Sequence, residues 1–211
     1  AIVTRLQRPW SRLVPASRFP RSIEVWDLAN DALLYRSSIS GFGVDGDDED
    51  EPRGIFWQPG ANKTAGYVMQ DAATGHYQWR KLAAPFTGQP QVIASSETAF
   101  HQVGWTTAGT PWYATHSNDG TRTQVWIVGT TGPKQVWQGD VADRYSNPGQ
   151  AITVDGQRGP VLEINGEIFL AGDGLGPTGP APFLDSYDLE SDTVERLFMA
   201  AAGSYEQVLA V

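Results

Sequence analysis

The sequence has no cysteine among its 211 residues, so disulfides and thiolate chemistry are excluded, and the absence fits any compartment. It also has no apolar run near the roughly 18–20 residues of a membrane-crossing helix, so no membrane partner is expected. Basic residues are few: 15 Lys and Arg against 24 Asp and Glu leave a formal net charge of −9. Affinity for a phosphate backbone comes from cations that displace condensed counterions, so no nucleic-acid partner is expected. The arginines that are present cluster early, at Arg5, Arg8, Arg12, Arg18 and Arg21, and read as a solvated segment paired with acidic neighbours. Charged residues make up only 18% and apolar ones 40%, spread along the chain, which excludes disorder.

Helix signals are nearly missing as well, because few windows carry apolar residues at three-to-four spacing without Gly or Pro. Short runs of Val, Ile, Trp, Tyr, Phe and Thr take their place, separated by turn pairs such as Asn30-Asp31, Thr131-Gly132 and Asn165-Gly166. Strands are predicted at 23–28, 32–37, 54–57, 65–70, 77–82, 91–94, 102–106, 111–116, 123–128, 134–138, 161–164, 167–171, 186–189 and 193–198. They repeat as a unit. An aromatic on one strand is followed by an apolar pair on the next: Trp26 then Leu33-Leu34, Trp79 then Val92-Ile93, Trp126 then Val136-Trp137, Tyr187 then Leu197-Phe198. These aromatics stand about 53, 47 and 61 residues apart, near the roughly 40–50 residues of a four-stranded propeller blade, and Trp57 and Trp105 fall in phase on the innermost strands.

The reading is therefore an all-β chain, a partial β-propeller of four-stranded antiparallel blades amounting to about half a ring. Residues 1–22 lead in from a preceding blade, and 23–211 form the blades. A closing hairpin spans 23–37, full blades span 54–94, 102–138 and 152–198, and an opening strand spans 206–211. The six aromatics Trp26, Trp57, Trp79, Trp105, Trp126 and Tyr187 are expected to be buried between sheets. The chain starts at Ala1 and stops in an apolar run, which reads as two cuts in a longer polypeptide. Unpaired edges are then expected at 23–28 and 207–211, with self-association through them.

Tests for chemistry return little. His76, His101 and His116 match no metal-ligand spacing, so no metal and no cofactor are expected. No serine stands in a G-x-S-x-G elbow, and no catalytic residue is assigned. The acidic run 45–51 (DGDDEDE) has its glycine in the wrong place for a calcium loop and reads as a solvated loop. Gly172-Asp173-Gly174-Leu175-Gly176 follows a strand, but Pro177, Pro180 and Pro182 forbid the helix of a dinucleotide site, leaving a strand-to-strand loop.

Four segments, taken together, resemble the propeller domain of prolyl-oligopeptidase-type serine peptidases, in the glutamyl endopeptidase branch. They are 8–27 (RPWSRLVPASRFPRSIEVWD), 143–149 (DRYSNPG), 168–188 (IFLAGDGLGPTGPAPFLDSYD) and 195–198 (ERLF) with Tyr205-Glu206. Between them, 84–88 (APFTG) is similar to a family hairpin and 122–127 (RTQVWI) to a family strand. The resemblance implies a propeller that gates peptide access to a C-terminal α/β-hydrolase domain absent from this chain, with peptide as substrate. Arg122, Arg144 and Arg158, which flank strands near turns, are the candidate substrate-facing cations. The competing readings are a stand-alone adaptor that binds a protein partner, and a degenerate peptidase paralogue.

Overall fold

The computed structural model describes residues 1–16, 19–39, 53–60, 63–140, 142–143, 145–154, 159–176, 179–201, 204 and 206. The acidic run 45–51 and the expected strand at 207–211 lie outside them. The chain divides into two compact units, Ala1–Ala99 and Phe100–Val211. Every named element in either unit is a β-strand.

In the first unit, β1 (Ile2–Leu6), β2 (Arg21–Asp27) and β3 (Ala32–Ile39) form one antiparallel sheet. A second contains β4 (Arg53–Trp57), β5 (Thr64–Gln70), β6 (Tyr77–Ala83) and β7 (Gln91–Ser96) in chain order. The second unit repeats the plan with β8 (Phe100–Trp105), β9 (Pro111–His116), β10 (Arg122–Gly129) and β11 (Gly132–Asp140). Its other sheet runs β12 (Gln150–Ala151), β14 (Glu167–Gly172), β15 (Phe183–Asp188) and β16 (Val194–Met199), with β13 (Glu163–Ile164) also paired to β14. Asn165-Gly166 closes the β13–β14 hairpin with both residues at positive φ, 54° and 85°, the geometry that suits the twist of antiparallel strands.

Two departures from the sequence reading follow from pairing. Residues 23–28 are not an open edge, because β2 lies between β1 and β3. No strand is predicted in 1–22, yet Ile2–Leu6 pairs along β2, from Ile2↔Val25 to Leu6↔Arg21. Only Ile2 and Val3 of this strand are half-buried and the rest is exposed, so it shows no alternation in sequence, and Arg5 reaches the buried Glu24 carboxylate across the pair at 3.5 Å.

The repeated aromatics mark a structural event as well as a packing one. The register between the third and fourth strands of a sheet shifts at Trp79/Arg80 and at Val125/Trp126, and the β2–β3 pair shifts at Val25/Trp26. Each shift is a bulge that sharpens the local twist beside a tryptophan. In the fourth sheet the shift falls at Leu184/Asp185.

Packing between sheets rests on other residues too. Val25 of the first sheet packs with Ala65, Tyr67, Met69, Leu82 and Phe86, with Ile2, Leu34, Tyr35 and Ile55 around them. Trp79 is fully buried on the opposite face of the second sheet, in register with Val68 and stacked on Phe56 at 6.4 Å. In the second unit Val161, Ile168 and Tyr187 pack with Trp112 and Val136, so Tyr187 does join two sheets. Trp105 is 2% exposed, whereas Trp57 is 39% exposed, resting edge-on against Phe86, and so departs from the expected burial.

Candidate functional site

The turn Ser117–Arg122 links β9 to β10 at the end of the third sheet where β8 begins. The Ser117 hydroxyl is its hub: it accepts from the Arg122 amide at 3.0 Å and donates to Asp119 at 2.5 Å. The Ser117 hydroxyl, with the Thr121 amide and hydroxyl, holds the Asp119 carboxyl down at about 2. Arg122 is exposed at the first position of β10, opposite Asp140, and its guanidinium has no ion pair among the described residues. The other two candidate cations, Arg144 and Arg158, lie outside the described residues. Of the early arginines, Arg5 does pair with an acid, whereas Arg8 lies over the exposed Trp10 ring at 5.2 Å.

A cavity of about 300 Å³ opens beside the fourth sheet, lined by Asn147, Gly149, Gln150, Ala171, Gly172, Asp173, Gly174 and Phe183. Its walls come from 143–149 and 168–188, two segments that carry the resemblance and are separate in sequence. They meet because the start of β12 pairs with the end of β14, Gln150↔Ala171. Asp143 organises the first wall, accepting from the Tyr145 amide at 2.8 Å and from the Ser146 hydroxyl at 2.5 Å. These bonds, with one from the Ser146 amide, hold its carboxyl below the usual range. The Asn147 side chain then accepts from the Gly149 amide at 2.9 Å.

Glycine is required where the walls close. A Cβ on Gly172 would lie 2.7 Å from the Phe183 ring, and one on Gly174, at φ +54°, would lie 2.3 Å from the Ala181 carbonyl oxygen. The Phe183 ring is buried, with the Arg196 guanidinium 4.4 Å from its centroid. Arg196 is held there by Asp185, which it also meets through a second bond at 3.1 Å. The cavity thus joins a backed aromatic ring to peptide groups and the side chains of Asn147, Gln150 and Asp173. Among the described residues its lining has no serine, histidine or cysteine and so offers no nucleophile and base pair. Residue spacing does not locate this cavity; its signals in sequence are the Gly172–Gly176 run, which reads as a strand-to-strand loop, and the two segments of the resemblance.

Among the described residues no group of three or more His, Cys, Asp or Glu side chains could hold a metal. Strand pairing nevertheless brings His101 and His116, separate in sequence, to 4.3 Å between ring centroids.

No family model matches the sequence. Along its whole length the chain is 24% identical, over 249 residues, to a probable chloroplastic glutamyl endopeptidase of Arabidopsis thaliana, covering 24% of that protein. It is 23% identical over 246 residues to the counterpart in Oryza sativa subsp. japonica, with 99% of this chain and 25% of that protein covered. The chain therefore spans about a quarter of the length of the curated relatives it matches. In structure, 93% of it superposes on the β-propeller domain of the trilobed protease of Pyrococcus furiosus, with TM-score 0.50, 14% identity and 52% of that domain covered. Acylaminoacyl peptidase of Pyrococcus horikoshii gives TM-score 0.54 at 9% identity, with 93% of this chain and 30% of that one covered. An oligogalacturonate lyase in complex with manganese gives 0.51 at 10% identity, with 93% and 49% covered. The fold is a partial β-propeller matching about half of such a domain, and the sequence is glutamyl endopeptidase-like. A lyase shares the fold, so the fold alone selects no chemistry.

Proposed function

We propose that this chain is the propeller segment of a serine endopeptidase of the prolyl oligopeptidase type, controlling peptide access to a hydrolase domain carried elsewhere on the same polypeptide. The observation that supports it is the end-to-end sequence similarity to probable glutamyl endopeptidases about four times as long. A propeller beside a hydrolase pocket acts by exclusion: short, flexible peptides pass and folded proteins do not, so selectivity lies in access and in loops near the chamber. The exposed guanidinium of Arg122 is suited to an acidic side chain of such a peptide, and Arg144 and Arg158 are proposed for the same role.

The test is expression of the natural full-length gene and assay with internally quenched peptides carrying Glu or Pro before the cut. Cleavage of short peptides but not of folded proteins, with one serine outside residues 1–211 labelled by a fluorophosphonate, is the expected result. A full-length product without a labelled serine overturns the reading and favours the adaptor. Replacing Arg122 with Gln should raise KM for Glu peptides over Pro peptides; equal effects on both would remove it from substrate contact.

A further inference from the structure

We propose that His101 and His116 form a two-histidine chelating site for a divalent transition ion of the Zn²⁺, Ni²⁺ or Cu²⁺ class. The two rings belong to adjacent strands, β8 and β9. Their centroids are 4.3 Å apart with planes tilted by 41°. This closeness has a backbone cause. The β8–β9 register shifts between Phe100↔Thr115 and Gln102↔Ala114, so His101 is the extra residue of a bulge, and a bulge re-aims the side chain it carries. A straight ladder would give His101 a partner of its own.

The next strand completes the arrangement. Thr123 of β10 pairs in register with His116, and its hydroxyl lies 3.1 Å from His116 Nδ1. A bond to one ring nitrogen fixes the orientation of the imidazole and leaves Nε2 for an ion, the usual pattern for metal-bound histidine. Imidazole nitrogens bind Zn²⁺ at about 2.0–2.1 Å, which places two of them roughly 3.4 Å apart at a tetrahedral angle. Imidazoles bound at that angle have centroids roughly 5 Å apart, so the two rings, now 4.3 Å apart, would open by about 1 Å to take the ion. His101 is exposed and His116 half-buried, so an ion has access from solvent. With no third such ligand among the described residues, the remaining coordination positions are open to water. The bound ion clips the bulged strand β8 to its neighbour.

Titration of the 211-residue chain with Zn²⁺ or Ni²⁺ by calorimetry should give one saturable site per chain, with a rise in melting temperature that EDTA reverses. His101→Gln and His116→Gln should each weaken binding at least about tenfold, and Thr123→Val should weaken it by about tenfold as an orienting residue. His76→Gln should leave it unchanged. In Cu²⁺ electron paramagnetic resonance the wild type should show two coupled nitrogens, and each of the His101 and His116 variants one, which reads the ligands independently of stability. Absence of a saturable site, or binding that survives both substitutions, overturns the proposal.

Discussion

At the scale of single residues, burial separates tryptophans that look equivalent in sequence. Trp79 is fully buried and stacked on Phe56, whereas Trp57 is 39% exposed. Replacing Trp79 with Ala should cost about 3–5 kcal/mol, the range for large aromatic truncations in a core, and Trp57→Ala roughly 1–2 kcal/mol. Urea denaturation of the two variants checks this, and equal losses would contradict the burial pattern. Glu24 makes a second residue-scale case. Its side chain is 1% exposed and accepts from Trp26 Nε1 at 2.8 Å and from the Ser22 hydroxyl at 3.2 Å, with Arg36 at 3.0 Å and Arg5 at 3.5 Å. The Trp26 bond foremost, then Ser22, Arg36 and Arg5, hold its pKa below the ordinary 4.5 against the opposing effect of burial. A depressed folded pKa means that this stabilisation is fully present above the unfolded value and is lost as pH falls through the folded one. Glu24→Gln should therefore be less stable than wild type at neutral pH, and the gap should narrow below about pH 4.5. Urea midpoints at several pH values measure it, and a gap independent of pH would remove Glu24 from the acid response.

At the scale of the element, the last two strands of each sheet were the most legible part of the fold. Their Trp-turn-apolar-pair repeat maps onto β2–β3, β6–β7 and β10–β11, and in Tyr187 form onto β15–β16. The bulges at Trp26, Trp79 and Trp126 were not legible, because a register shift depends on the partner strand. Edges were misjudged for the same reason: 23–28 looked terminal but lies between two strands. Among the described strands, β16 is one edge that pairs only with β15, and its Val194, Leu197 and Met199 are exposed at 58%, 47% and 57%. An apolar strand with unpaired backbone groups is a template for another chain. The 211-residue chain is expected to self-associate with rising concentration in sedimentation, and Leu197→Lys to reduce that association. Equal sedimentation of the two would rule out β16 as the contact.

At the scale of the whole molecule, the expected outcome is a chain with β-type far-UV circular dichroism and no hydrolytic activity of its own. No G-x-S-x-G occurs in the sequence, and among the described residues neither the cavity lining nor the hydrogen bonds of the Ser117 hydroxyl join a serine to a histidine base. Covalent labelling of a serine in the purified 211-residue chain by a fluorophosphonate would contradict this.

The amino-acid order by itself determined the all-β class, the blade-like repeat and the glutamyl endopeptidase resemblance, because alternation, turn residues and local motifs act between near neighbours in the chain. Tertiary structure alone decided what lies beside what. It brought 143–149 against 168–188 around a cavity, set His101 beside His116, placed Arg196 over Phe183 and buried Glu24 between two arginines. These juxtapositions depend on strand register, and register is settled by the pairing of whole strands, so a slip of one residue in any one strand would send that strand's side chains to the other face.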